Sequence, residues 1–163
     1  MSHTLQSKAE LGKGRWCGVN WKQEATEKLR KYDAMRMAVQ NIPQEIRRLQ
    51  IAAGALKSMQ ADGAPGGGNL RGKEDQIINN LAHRQELAWN LEQAKCWLEV
   101  TDRAMHCLRP EEKQILHRLY VQPDKSAMEQ LCQELGVEQS SVYRRRDRAL
   151  ERFAVALYGT AAS

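Results

Sequence analysis

Much is excluded by what this chain lacks. Its 163 residues include four cysteines, at 17, 96, 107 and 132, with no Cys-x-x-Cys pair and no zinc-ligand spacing to His3, His83, His106 or His117. Reduced thiols and no metal are the expectation. No apolar run approaches the length of a membrane span, and Lys8, Glu10, Lys13 and Arg15 interrupt the start where a signal peptide needs an apolar core. A soluble, cytoplasmic protein is therefore expected. The glycine-rich stretch 62–72, DGAPGGGNLRG, has neither the Gly-Lys-Ser/Thr ending nor the preceding strand of a phosphate-binding P-loop, and reads as a flexible loop. No carboxylate pair and no Ser/His/Asp arrangement emerges, because acids and bases alternate along solvated faces. The expectation is a chain that is not an enzyme and needs no cofactor.

What is present is helical periodicity and localised positive charge. The formal net charge is +5 and the pI near 9.1, which permits an anionic partner without requiring one. The surplus is mostly N-terminal, yet within 139–152 five arginines (144, 145, 146, 148 and 152) face only Asp147 and Glu151. Residues 1–20, with glycines at 12, 14 and 18, show no sustained period and read as a disordered tail, although Trp16 and Trp21 are out of place in one. From about Trp21 an apolar seam begins: Tyr32, Met35, Val39, Ile42, Ile46, Leu49, Ala53 and Leu56 alternate three- and four-residue spacings. Such a seam predicts a coiled-coil helix, with a kink or a boundary at Pro43. After the loop, Ile77, Leu81, Ala88, Leu91, Ala94, Leu98, Thr101 and Met105 suggest a second long helix folding back on the first. The expected arm is an antiparallel hairpin over 21–106, whose less regular second seam leaves surface for dimerisation.

Residues 107–158 predict a three-helix domain, with 159–163 as a tail. Arg109-Pro110-Glu111-Glu112 has proline at a first helical position and acids in the first turn, and Ile115, Leu116, Leu119 and Tyr120 give that helix a core face. Ser126-x-x-Glu129 reads as a capping box opening a helix with Met128, Leu131, Cys132 and Leu135 on one face, closed by Gly136. Val137 follows as an apolar plug. Val142, Ala149, Leu150 and Phe153 place the next helix over about 139–158, so the pair reads as a helix-turn-helix. The second helix keeps Gln139, Ser140, Ser141, Tyr143, Arg144 and Arg148 off its apolar face, types that donate to phosphates and read base edges in a major groove. These six are the candidate DNA-binding residues.

LRPEEKQILHRLYV followed by MEQLCQELGVEQSSVYRRRDRAL resembles the region-4 DNA-binding domain of sigma-70 factors. With the helical arm and its Gly-rich break, the chain is similar to the sigma-like phage and prophage regulators related to ArpU and RinA. The resemblance covers about 24–158, with its specific motifs in 108–152. It implies an all-α fold and major-groove contact through Gln139, Ser140, Ser141, Tyr143 and Arg144, with Arg148 on the backbone. Glu138 replaces the family's usual Ser or Thr cap. Arg145 stands at a commonly apolar position, implying either a rotated helix or an arginine stem along the core edge. The promoter-melting region of a complete sigma factor has no counterpart. The leading expectation is a sequence-specific regulator of phage or prophage genes, a homodimer that binds double-stranded DNA and contacts RNA polymerase or a second copy through its arm. The alternatives are a small-terminase-like DNA-packaging subunit and a coiled-coil adaptor that binds protein.

Overall fold

The computed structural model describes residues 20–61 and 70–159, and these are all-helical, without strands. Of the expected tail over 1–20 and loop over 62–72, residues 1–19 and 62–69 lie outside the described residues, as do the last four residues, and the loop's last three already belong to a helix. Five α-helices occur in order: α1 Trp21–Ala61, α2 Leu70–His106, α3 Pro110–Leu116, α4 Ala127–Leu135 and α5 Gln139–Tyr158, with a π-helical turn His117–Val121 continuing α3. No helix among them is long and apolar enough to cross a membrane.

The helices divide into two compact units. One contains 32–100; the other joins the described residues up to Lys31 with those from Thr101 onward. The expected boundary at 106/107 is therefore displaced: both ends of the expected arm group with the C-terminal helices. The physical reason is that a continuous helix carries no sequence signal where its neighbours change. Asn20 starts α1 by accepting the Gln23 N–H on its side chain at 3.3 Å, as an N-cap does. Ala25 and Leu29 then lie fully buried in the C-terminal unit, as does Thr101 from α2.

In the 32–100 unit every position of the α1 seam from Tyr32 to Leu56 is buried or half-buried. The helix runs unbroken through Pro43, so no boundary forms there. On α2 the expected face is corrected in part. Leu81 and Ala88 are exposed, while Asn80, Arg84 and Leu87 sit inward, continuing the spacing from Ile77 to Leu91 and Ala94. Asn80 Nδ2 donates to the Leu49 carbonyl at 3.0 Å, and Met35 and Ile42 line a groove of about 530 Å³ together with Asn90 and Trp97. Asn80 Oδ1 and Arg84 Nε are buried with no partner among the described residues.

In the C-terminal unit, Ile115, Leu131 and Val142 form the fully buried centre of a cluster joined by Leu119, Met128, Cys132, Leu135 and Val137. One residue from each of α3, α4 and α5 thus meets at a single point. The expected capping box at Ser126 does not form. Ser126 is still the N-cap residue, but its hydroxyl turns back to the Asp124 carboxylate, which also accepts the Lys125 N–H at 2.7 Å. The Ser126 hydroxyl lowers the Asp124 carboxyl below its ordinary value, with the Lys125 amide adding to it. Gly136 ends α4 at φ 60°, ψ 35°, and the N–H of Val137 reaches back to the Cys132 carbonyl at 3.1 Å. That six-to-one bond, with Val137 and Cys132 in one cluster, is a Schellman ending. The π turn, closed by Gln122 N–H to His117 O at 2.9 Å, carries the inward direction from Leu116 to the buried Val121 and leaves Tyr120 half-buried.

Candidate nucleic-acid interface

α5 presents the candidate residues because its opposite side is spoken for. Val142, Ala149, Leu150, Phe153 and Ala154 are fully buried. At about 100° per residue, Ser140, Arg144 and Arg148 then share the outward side. All three are exposed, and Ser141 beside them is half-buried. Gln139 and Tyr143 lie on a different flank and are bonded to each other, Gln139 Nε2 donating to the Tyr143 hydroxyl at 3.1 Å. Thus the six residues form two adjoining groups on the first half of α5, a donor row of Ser140, Ser141, Arg144 and Arg148 and a Gln139–Tyr143 pair.

The five arginines of this segment differ in what they touch. Arg145 reaches Glu111 of α3 at 2.8 Å, with its side chain partly covered. Arg152 donates to both oxygens of the nearly buried Glu112, at 2.9 and 3.2 Å, and Glu112 also accepts the Arg109 N–H at 3.0 Å. Arg146 bonds Asp147 through Nε and Nη2 at 2.9 and 2.7 Å, and its guanidinium lies 4.8 Å from the Tyr143 ring centre. Asp147 in turn meets Lys22 of α1 at 3.0 Å. Burial pushes the Asp147 carboxyl up, but the bonds from Lys22 and Arg146 outweigh it and hold it below its ordinary value.

Arg144 and Arg148 remain. Arg144 donates weakly to the Ser141 hydroxyl at 3.4 Å, and Arg148 has neither a hydrogen bond nor an ion pair among the described residues. These two cations, one turn apart, carry charge that no acid among the described residues pairs with. At Arg145, for which a rotated helix or a stem along the core edge with its head in water was expected, the half-buried side chain ends on Glu111. Sequence reasoning did not find the roles of Glu111 and Glu112, which read only as helix-dipole acids; the signal available was two unpaired acids opposite an excess of arginine.

The first turn of α5 has no side-chain cap: Glu138 contributes only its carbonyl, which accepts the Ser141 and Val142 amides at 2.9 and 3.1 Å. No group of three His, Cys, Asp or Glu able to hold a metal ion occurs among the described residues. No protein-family model matches this chain, and no match exists among curated proteins or solved structures.

Proposed function

We propose that α4, the Gly136 turn and α5 act as a helix-turn-helix of the sigma region-4 kind, and that the protein is a sequence-specific DNA-binding regulator of phage or prophage genes. α5 enters the major groove with its 139–152 half. Helices α1 and α2 form an antiparallel hairpin arm that oligomerises or contacts RNA polymerase. The observation that carries this reading is the division of the arginines: Arg145, Arg146 and Arg152 are matched to Glu111, Asp147 and Glu112, whereas Arg144 and Arg148 are not. Arg145, Arg146 and Arg152 each hold an acid, which leaves Arg144 and Arg148 as the charge on α5 available to an anionic partner. Ser140 and Ser141 add donors of the kind that fix a helix against phosphates.

The test is titration of the full chain with duplex genomic or prophage fragments at two salt concentrations. Binding is expected to saturate and to weaken steeply with salt, since phosphate contacts release counterions. Arg144→Ala is expected to cost about 1 to 3 kcal/mol on the preferred sequence and to relax discrimination at one base pair. Arg148→Ala is expected to weaken all sequences alike and to lower the salt slope. Unchanged affinity in both variants removes α5 as the reading helix, and no binding at either salt favours the protein-binding adaptor.

A further inference from the structure

Helix α1 meets α5 at two points that fix its direction. Lys22 bonds Asp147, in the middle of α5, at 3.0 Å, and the Lys28 ammonium lies 5.7 Å from the ring centre of Tyr158, at the end of α5. Asp147 and Tyr158 are about 16 Å apart along the helix. α1 therefore runs from the middle of α5 toward its C-terminal end, with Ala25 and Leu29 fully buried on the way. Its own start, where the Asn20 side chain accepts the Gln23 N–H, is the end that faces back toward the 139–146 half of α5.

Position around α5 adds to this. By the helical repeat, Asp147 and Tyr143 lie about 60° and 100° from Arg144 on one flank, whereas Arg145 and Arg152, which meet α3, lie on the other. The chain thus enters α1 beside the row of Ser140, Arg144 and Arg148, on the flank away from α3. Asp147 is the only acid of residues 139–150 and is held by Lys22 and Arg146, so this flank sets no unmatched negative charge against an anion.

The residues that precede Asn20 suit an anionic partner. The stretch 11–19, LGKGRWCGV, contains Lys13 and Arg15 and no acid. Arg15 is five residues before Asn20 and Lys13 seven, which allows about 17 and 24 Å of extended chain, against about 12 Å from Asp147 back to Gln139 along α5. We propose that residues 13–19 lie along the DNA at the edge of the groove that α5 enters, with Lys13 and Arg15 on the phosphates there. Glycines 12 and 14, on either side of Lys13, carry no Cβ to hold the backbone off the sugar-phosphate wall. These contacts fix register and orientation on the duplex, while base reading stays with α5.

This inference rests on α5 being the DNA-reading helix, and its test separates the two. The full chain, a double variant Lys13→Ala, Arg15→Ala and a double variant Arg30→Ala, Lys31→Ala are titrated with one duplex prophage fragment over a range of salt. Loss of two phosphate contacts is expected to make the fall of log affinity with log salt shallower by about 2 and to lower the affinity about tenfold at low salt. The second variant loses the same charge just beyond the Lys28–Tyr158 contact, where both side chains are exposed, and is expected to keep the slope of the full chain. Hydroxyl-radical footprints are expected to show backbone protection on one side of the α5 site that the Lys13, Arg15 variant loses and Arg144→Ala keeps. An unchanged slope and footprint in the Lys13, Arg15 variant overturns the proposal, and the α5 reading then stands if Arg144→Ala still weakens binding to that duplex. An equal loss in both double variants also overturns it, because net charge then suffices, and a full chain that binds no duplex removes both readings together.

Discussion

At the scale of single residues, the acids facing α5 determine which arginines serve the fold. Glu112 is nearly buried, so Arg152→Ala leaves a carboxylate with only the Arg109 amide for compensation. Breaking a buried pair costs several kcal/mol, but Arg152 is nearly half exposed, and solvent screening reduces the expected loss to about 1 to 2 kcal/mol. Urea unfolding of Arg152→Ala, Glu112→Ala and the double variant measures it, and additive losses would show that the pair has no coupling. Asp147 gives a pH signature. Its carboxyl is lowered in the folded chain, so its contribution is present above the unfolded value, about pH 3.9. It is lost as pH falls through the folded value. Asp147→Asn is therefore expected to flatten the acid limb of stability below about pH 4, and an unchanged limb refutes the Lys22–Asp147–Arg146 assignment. The excess of arginine in 139–152 was readable from the sequence. Its partition was not, because Glu111 and Glu112 lie more than 30 residues away and meet α5 only through the packing of α3.

At the scale of elements, legibility followed how strongly one residue constrains the backbone. Gly136 was readable as a terminator because a left-handed C′ position favours glycine, and a Cβ there would meet no atom within 4 Å. The cost of Gly136→Ala is thus conformational alone, about 1 kcal/mol, with Gly136→Asn closer to neutral. Thermal melts of the two variants decide it, and equal losses would point to packing instead. The start of α4 at Ser126 was legible, but the side-chain box was not formed, because the Ser126 hydroxyl is taken up by the Asp124 carboxylate and the Gln130 amide. On α2, reading only apolar residues drew the face toward Leu81 and Ala88. The true seam passes through Asn80 and Arg84, two polar side chains with buried unpaired atoms. A buried asparagine weakens a helix pair while fixing its register. Asn80→Leu is accordingly expected to raise the midpoint of unfolding by the equivalent of about 1 kcal/mol. Hydrogen exchange along α1 and α2 is expected to become less uniform as the register loosens, and a lower midpoint would show that the Leu49 carbonyl bond matters more than the unpaired oxygen.

At the scale of the whole molecule, the C-terminal unit is assembled from both ends of the described chain. Its α3–α5 pattern was legible, since Ile115, Leu131 and Val142 each sit at the expected point of a local period. Its completion by residues 20–31 was not, because Ala25 and Leu29 follow the same helical rhythm as the seam beyond them and nothing local marks a change of neighbours. The consequence bears on any attempt to isolate the C-terminal helices. A fragment of 108–163 lacks Ala25, Leu29, Thr101 and Ala104, all within 2% of complete burial, and loses the Lys22 bond to Asp147 and the Lys28 contact 5.7 Å from the Tyr158 ring centre. Burying one leucine is worth about 1.5 to 3 kcal/mol, a large share of the stability of so small a domain. The fragment is therefore expected to show reduced helicity and a broad, early melt by circular dichroism. Joining residues 20–31 and 101–159 through a flexible linker that replaces 32–100 is expected to restore a cooperative transition. If 108–163 alone melts cooperatively at the full chain's midpoint, the N-terminal helix is an accessory to the domain; if only the joined form does, any DNA affinity of α5 depends on the first helical turns of α1.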